Sequence, residues 1–293
     1  MFELSRRDFL RAAGIGLAAA VVKVPGFAQS QREALYGRAL AAASVTDRPS
    51  GARIIRHLWP DGIVRIFGRS GTSFQIADGF VPITALQPMV LATEPALPLS
   101  HFPVMAEVTG AAAAVRGYCS PDAPLIARIG HGGTAKLLDR LDTPDGSWYA
   151  VADDTDAHLG WTPAVHWHAA EPAVLGQTGD LVLDLHRRAV QAVDSAGEVV
   201  FTAPLAAHEA APTGTFSVLK RDGSMCSSDS RTNRRYGIPW ALTLSNGLVL
   251  AGAYWHNHFA IEPAQDGPAF QIAPAAAKFF YGWVGPRNTI TIA

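Results

Sequence analysis

The chain has almost no net charge: 24 Lys and Arg stand against 25 Asp and Glu, for a formal balance of −1. Binding to nucleic acid or another acidic polymer through bulk charge draws on an excess of basic side chains, so that class of partner is not expected. Long apolar runs are also missing. Beyond the first 28 residues no stretch reaches the roughly 20 apolar residues a membrane-spanning helix needs, so no permanent span is expected. Cysteine is scarce, with only Cys119 and Cys226. In an oxidising compartment two such residues can pair, and two separate thiols are the other open reading. Residues 259–293 contain no Cys, His or Ser. That segment therefore offers neither a thiolate nor a serine alkoxide, and no imidazole base for nucleophilic catalysis.

What is present begins with a targeting pattern. Ser5-Arg6-Arg7-Asp8-Phe9-Leu10 is followed by an apolar run from Ala12 to Val22, broken by Gly14 and Gly16. Lys23 comes next, and Gly26-Phe27-Ala28 forms a small-residue cleavage site. The run is about a dozen residues, too short for an anchor. The pattern matches the twin-arginine consensus. Residues 1–28 are expected to be a signal read by the twin-arginine export machinery, which places the protein in the periplasm or otherwise outside the cytoplasm.

The remainder, about 265 residues, allows one large domain or two to three small ones. Hydrophobic residues make up 48%, with 27 Gly and 20 Pro, which points to a packed, loop-rich β fold. An internal repeat lies between Arg38 and Pro172. Ile55, Leu58, Gly62, Val64 and Ile66 recur as Ile126, Ile129, Gly133, Ala135 and Leu137, each shifted by 71. The copies close with Gly79-Phe80-Val81-Pro82 and Gly160-Trp161-Thr162-Pro163. Both show short alternating strands with Gly, Pro and Asp turns. The pattern resembles tandem bacterial SH3-like domains, at 36–90 and 103–172. The second carries more of the pattern, in Val115-Arg116, Ser120-Pro121, Trp148-Tyr149-Ala150-Val151 and Gly160-Trp161. Wall-peptide binding and a passive spacer are both open readings for the pair. An Ala/Pro-rich linker, Met89 to Pro103, is expected between them, and a second boundary at Glu171 to Thr178.

From Gly179 the pattern changes. A strand at Asp180–Leu185, then Val190–Val193, a Ser195-Ala196-Gly197 turn and Val199–Phe201 form an opening hairpin. Ala211-Pro212-Thr213-Gly214-Thr215-Phe216-Ser217-Val218 follows, then Tyr236-Gly237-Ile238-Pro239-Trp240, then Gly252-Ala253-Tyr254-Trp255-His256-Asn257-His258-Phe259. In that order these motifs resemble the catalytic domain of L,D-transpeptidases over residues 179–293. The resemblance implies an exported cysteine enzyme of peptidoglycan cross-linking. The expected fold class is mainly β: two small SH3-like barrels, then an L,D-transpeptidase-like β domain. That domain is expected to be mostly antiparallel, with a strand at Phe216–Leu219 and one short helix near Pro274–Gly282.

The chemistry of that family is missing here. Its pattern ends in a Ser-His-Gly-Cys tetrad, in which the cysteine is the acyl nucleophile and the histidine its base. Anchored on Ala273-Pro274, the tetrad falls on Asp266-Gly267-Pro268-Ala269, with the nucleophile position at Ala269 and the histidine position at Gly267. Anchored on Tyr254–Asn257, it falls on Ala264 to Gly267. The family's earlier histidine falls at Ala251. The resemblance therefore implies a non-catalytic binder of peptidoglycan or wall peptides. The alternative is an enzyme with a relocated group among Cys226, His256 and Asp266. Tyr236, Tyr254, Trp255, His256 and Asn257 are the substrate-groove candidates, with core packing as the other reading for the aromatic set, favoured for Trp240. His256-x-His258 and His166-x-His168 each put two imidazoles on one strand face. A zinc site needs a third ligand and supporting contacts, and none is apparent, so no metal or cofactor is expected. Arg231, Arg234 and Arg235 form a basic cluster, suited to acidic wall peptides or to solvent.

Overall fold

The computed structural model describes residues 34–51, 53–91, 98–173, 175, 177–208, 211–227, 234–262, 264 and 266–293. The expected export signal, and Arg231 of the basic cluster, lie outside them. The described chain is mainly β, with one α-helix, Pro274–Trp283. None of its helices is long and apolar enough to cross a membrane. It divides into two compact units. One holds the residues up to Leu91 together with Trp255–His258; the other holds the rest.

The first unit has a three-stranded sheet, ordered Ile63–Arg65, Leu35–Ala39, Leu86–Val90. A five-stranded sheet runs Ile54–Leu58, Ala43–Thr46, Gly79–Pro82, Ser73–Ile76, Gly68–Ser70. Alternation puts Leu35, Val45, Phe74, Ile76, Val81 and Leu86 into one core, as period-two patterning requires. Met89 lies fully buried in Leu86–Val90, so ordered sheet continues into the start of the expected linker. Asn257 belongs here, donating from Nδ2 to the Ile83 carbonyl at 2.8 Å.

The second unit opens with a seven-stranded sheet spanning Val104–Ala169. The two copies of the repeat share their turns bond for bond. In the first, Gly62 N–H donates to Trp59 O at 2.9 Å and Asp61 N–H to Ala39 O at 2.8 Å. In the second, Gly133 N–H donates to Gly130 O at 2.9 Å and Gly132 N–H to Val108 O at 2.8 Å. Asp61 (φ 60°) and Gly132 (φ 74°) take the same left-handed backbone. The closing glycines also match. A Cβ on Gly79 would sit 2.4 Å from Thr46 O and 3.2 Å from Ile55 Cδ1; one on Gly160 would sit 2.5 Å from Arg116 O and 3.1 Å from Ile126 Cδ1.

The C-terminal sheet has nine strands, organised around Gly214–Met225. Its first part pairs with Thr289–Ile292 and its second with Ile238–Leu244, so the strand runs well past the expected Leu219. Two pairings are parallel: Asp180–Asp184 with Thr289–Ile292, and Val249–Gly252 with Phe270–Ile272. The helix starts on Pro274, whose fixed φ suits a first helical position. Ala276, Ala277, Phe280 and Trp283 lie on one buried face, the spacing of an amphipathic helix. Trp240 is 3% exposed and holds φ 57°, a conformation that costs a bulky residue free energy. It packs under the edge of Tyr281, ring centroids 5.2 Å apart.

Because a backbone oxygen blocks each closing glycine, Gly79→Ala and Gly160→Ala should each destabilise the protein by about 1–3 kcal/mol, the cost of overpacking. Thermal or urea unfolding of the single variants checks this. Unchanged stability in either would show that its turn relaxes freely.

Candidate functional site

The segment Asp266–Ala269, onto which one register of the resemblance lays the tetrad, is a braced loop. Gln271 lies in the strand Phe270–Ile272 and is 1% exposed. Its Nε2 donates to Asp266 O at 2.7 Å and to Pro268 O at 3.0 Å. Gly267 supplies the left-handed residue of the bend, φ 98°. Ala269 is half-buried, and its carbonyl accepts from the His208 backbone N–H at 3.0 Å. Ala264, the other register's first position, is held by a bond from its N–H to Ala207 O. Ala251 is fully buried in Val249–Gly252 and pairs with Gln271 in parallel register. Asp266 is exposed, with its carboxylate 3.7 Å from Arg235. In neither register does this loop present a thiol or an imidazole from its own sequence.

The groove candidates fall in both units. Tyr236 and Tyr254 belong to the second unit, and Trp255, His256 and Asn257 to the first. Tyr254 is 5% exposed, and its hydroxyl donates to the Tyr236 carbonyl. His256 and His258 stack at 5.7 Å between centroids, and the His258 backbone N–H donates to His256 Nδ1 at 3.2 Å. Among the described residues no group of three His, Cys, Asp or Glu is placed to hold a metal. His166 is partly buried, which lowers its pKa and favours the neutral ring.

Cys226 lies elsewhere, on a cavity of about 340 Å³ between the seven-stranded sheet and Gly214–Met225. Asp153, Asp154, Lys136, Arg221 and Tyr236 share its lining, which includes no histidine. Arg234 pairs with Asp154, and its guanidinium covers the Tyr236 ring at 5.3 Å. Of the basic cluster, Arg234 and Arg235 each face a carboxylate, Asp154 and Asp266. Burial pushes the Cys226 thiol up, and the Asp154 charge pushes it further against the opposing pull of Arg234. A thiol so placed stays protonated and is a weak nucleophile. Cys119 and Cys226 are both free.

Sequence reasoning missed His208, Asp154 and Gln271. His208 and Asp154 act through partners far along the chain, Gln271 through a fold back onto two nearby carbonyls, and no local motif marks any of them. Only the pairing of Ala206 with Gln271 and Ala207 with Phe270 carries His208 to Ala269.

No family model matches the chain, and neither does any curated protein. Solved structures similar to it include an L,D-transpeptidase from Stackebrandtia nassauensis, at 14% identity and TM-score 0.33, over 42% of this chain and 58% of that one. Another is an L,D-transpeptidase from Xylanimonas cellulosilytica, at 17% and 0.33, over 42% and 65%. A third is an L,D-transpeptidase from Mycobacterium smegmatis, at 18% and 0.34, over 65% and 98%. The chain thus spans less than two thirds of the first two structures.

The environment of Cys226 has a kinetic consequence. In a Cys119→Ser background, iodoacetamide should label Cys226 more slowly than free cysteine at pH 8. Asp154→Asn should speed the labelling, because it removes the carboxylate and frees Arg234 to stabilise the thiolate. Labelling unaffected by Asp154→Asn would contradict the assignment of that carboxylate.

Proposed function

We propose that this chain is an exported cell-wall protein whose residues 179–293 form an L,D-transpeptidase-like domain that binds peptidoglycan peptides without cysteine catalysis. The carrying observation is the Gln271-braced loop at Asp266–Ala269. Methyl groups and a glycine stand where the family's nucleophile and histidines would be, at Ala269, Gly267 and Ala251. In that chemistry a thiolate attacks the donor peptide's carbonyl, and the acyl group then passes to an amine. Without the thiol the first bond cannot form. The ordered run of motifs from Asp180 to Ile292 supports the peptide-binding half of the reading. Tyr236, Tyr254, Trp255, His256 and Asn257 are the residues it assigns to the wall peptide. The two repeat copies, at 36–90 and 103–172, are SH3-like modules in this reading.

The test uses the full chain without residues 1–28. Incubated with a carbapenem, it should show no added mass by intact-protein mass spectrometry, and it should co-sediment with purified sacculi. An adduct that vanishes in Cys226→Ala would replace this reading with a relocated nucleophile. Loss of both adduct and sedimentation would remove the wall as partner.

Export is tested separately. The double substitution Arg6→Lys, Arg7→Lys should leave the precursor in the cytoplasm, because the motif acts as a receptor-read address. Normal accumulation outside the cytoplasm would refute twin-arginine routing.

A further inference from the structure

Trp59 is 78% exposed. A single exposed apolar side chain is ordinary, and its setting decides whether it marks a contact surface. Its turn is not loose. Arg38 Nη1 meets Asp61 Oδ1 at 2.6 Å, with the two side chains 6% and 17% exposed. Ala39 N–H also donates to Gly62 O at 2.9 Å. A buried ion pair and three backbone bonds therefore hold a turn whose tryptophan points away from the core.

The second copy of the repeat is an internal control. Its turn has the same backbone bonds but carries Gly130 where the first has Trp59. The turn therefore does not need tryptophan to form. Beyond it, Ile63, Arg65, Phe67 and Arg69 alternate outward while Ile66 is buried. The Arg65 guanidinium covers the Phe67 ring at 5.1 Å. Neither Arg65 nor Arg69 has a carboxylate partner among the described residues. The counterpart of Ile63 in the second copy, Thr134, is wholly buried against the C-terminal sheet. The same strand edge is thus a contact face in one copy and open in the other.

Residues 34–91 carry six arginines against three aspartates, and neither Lys nor Glu. The outward stripe offers indole, phenyl and isoleucine surface with guanidinium donors, and none of its five side chains is a hydrogen-bond acceptor. A glycan would need acceptors as well as donors for its hydroxyls. Lipid phosphates are acceptors only, and the adjoining headgroup layer takes up tryptophan and other apolar side chains. We propose that Trp59, Ile63, Arg65, Phe67 and Arg69 form a docking surface for an anionic phospholipid bilayer. This rests on the first copy alone and is independent of the fate of the cysteine chemistry.

The experiment is vesicle co-sedimentation of the chain without residues 1–28. It should bind vesicles of phosphatidylglycerol mixed with phosphatidylcholine, bind phosphatidylcholine alone weakly, and dissociate as salt is raised. Trp59→Gly copies the second repeat's turn and should fold with an unchanged thermal midpoint. It should lower partitioning about tenfold, the loss of one inserted aromatic side chain. Arg65→Glu with Arg69→Glu should abolish the preference for phosphatidylglycerol. No vesicle binding, equal binding by Trp59→Gly, or a Trp59-dependent loss of sacculus binding or of self-association in its place would overturn the proposal.

Discussion

Thr134 ties the second repeat copy to the C-terminal sheet. It is fully buried, and all three of its polar groups are used. Its N–H donates to Gly237 O at 3.1 Å, its hydroxyl to Gly223 O at 2.6 Å, and its carbonyl accepts from Ser224 Oγ at 2.7 Å. A buried polar group left unsatisfied costs more than its bond contributes, so the two sheets are committed to one register. Lys278 and Glu107 add an ion pair at 2.6 Å to the same junction. The cavity holding Cys226 and the contact of Tyr254 with Tyr236 are both set by this join.

Much of the architecture could be read from the chain because it is enforced locally. Gly and Pro punctuation, period-two alternation, and Pro274 ahead of an apolar stripe each act within a few residues. Gly62 and Gly133 were visible as repeat markers because one turn recurs in which a Cβ at either position would sit 2.9 Å from the carbonyl oxygen three residues back. The helix Pro274–Trp283 accordingly lies where its sequence signals place it. The extent of Gly214–Met225 was not legible, because neighbours on both sides lengthen it.

The chemistry of the site was legible mainly as absence. A missing cysteine can be read without knowing the fold. The form of Asp266–Ala269 could not be read, because the brace from Gln271 depends on a side chain folding back onto two carbonyls. The pairing of Arg234 with Asp154 spans 80 positions and joins the turn after Gly146–Ala152 to the loop before Ile238–Leu244. From sequence, Arg234 and Arg235 stood in a surface-like cluster; in the fold they face Asp154 and Asp266.

One part of the first unit arrives late. Asn257 reaches Ile83 across 174 positions, and Trp255–His258 complete a unit whose other described residues end at Leu91. A ribosome delivers the chain from its N-terminus at about 5–20 residues per second. Residues 34–91 must therefore wait many seconds for the segment that finishes them. Closing so long a loop carries an entropic cost that only the nearly finished polypeptide can meet. The contact of Asn257 with Ile83 therefore joins a late segment to an early one. Truncation between Leu91 and Trp255 would remove the Asn257 contact from the N-terminal unit, although its own strands are all present.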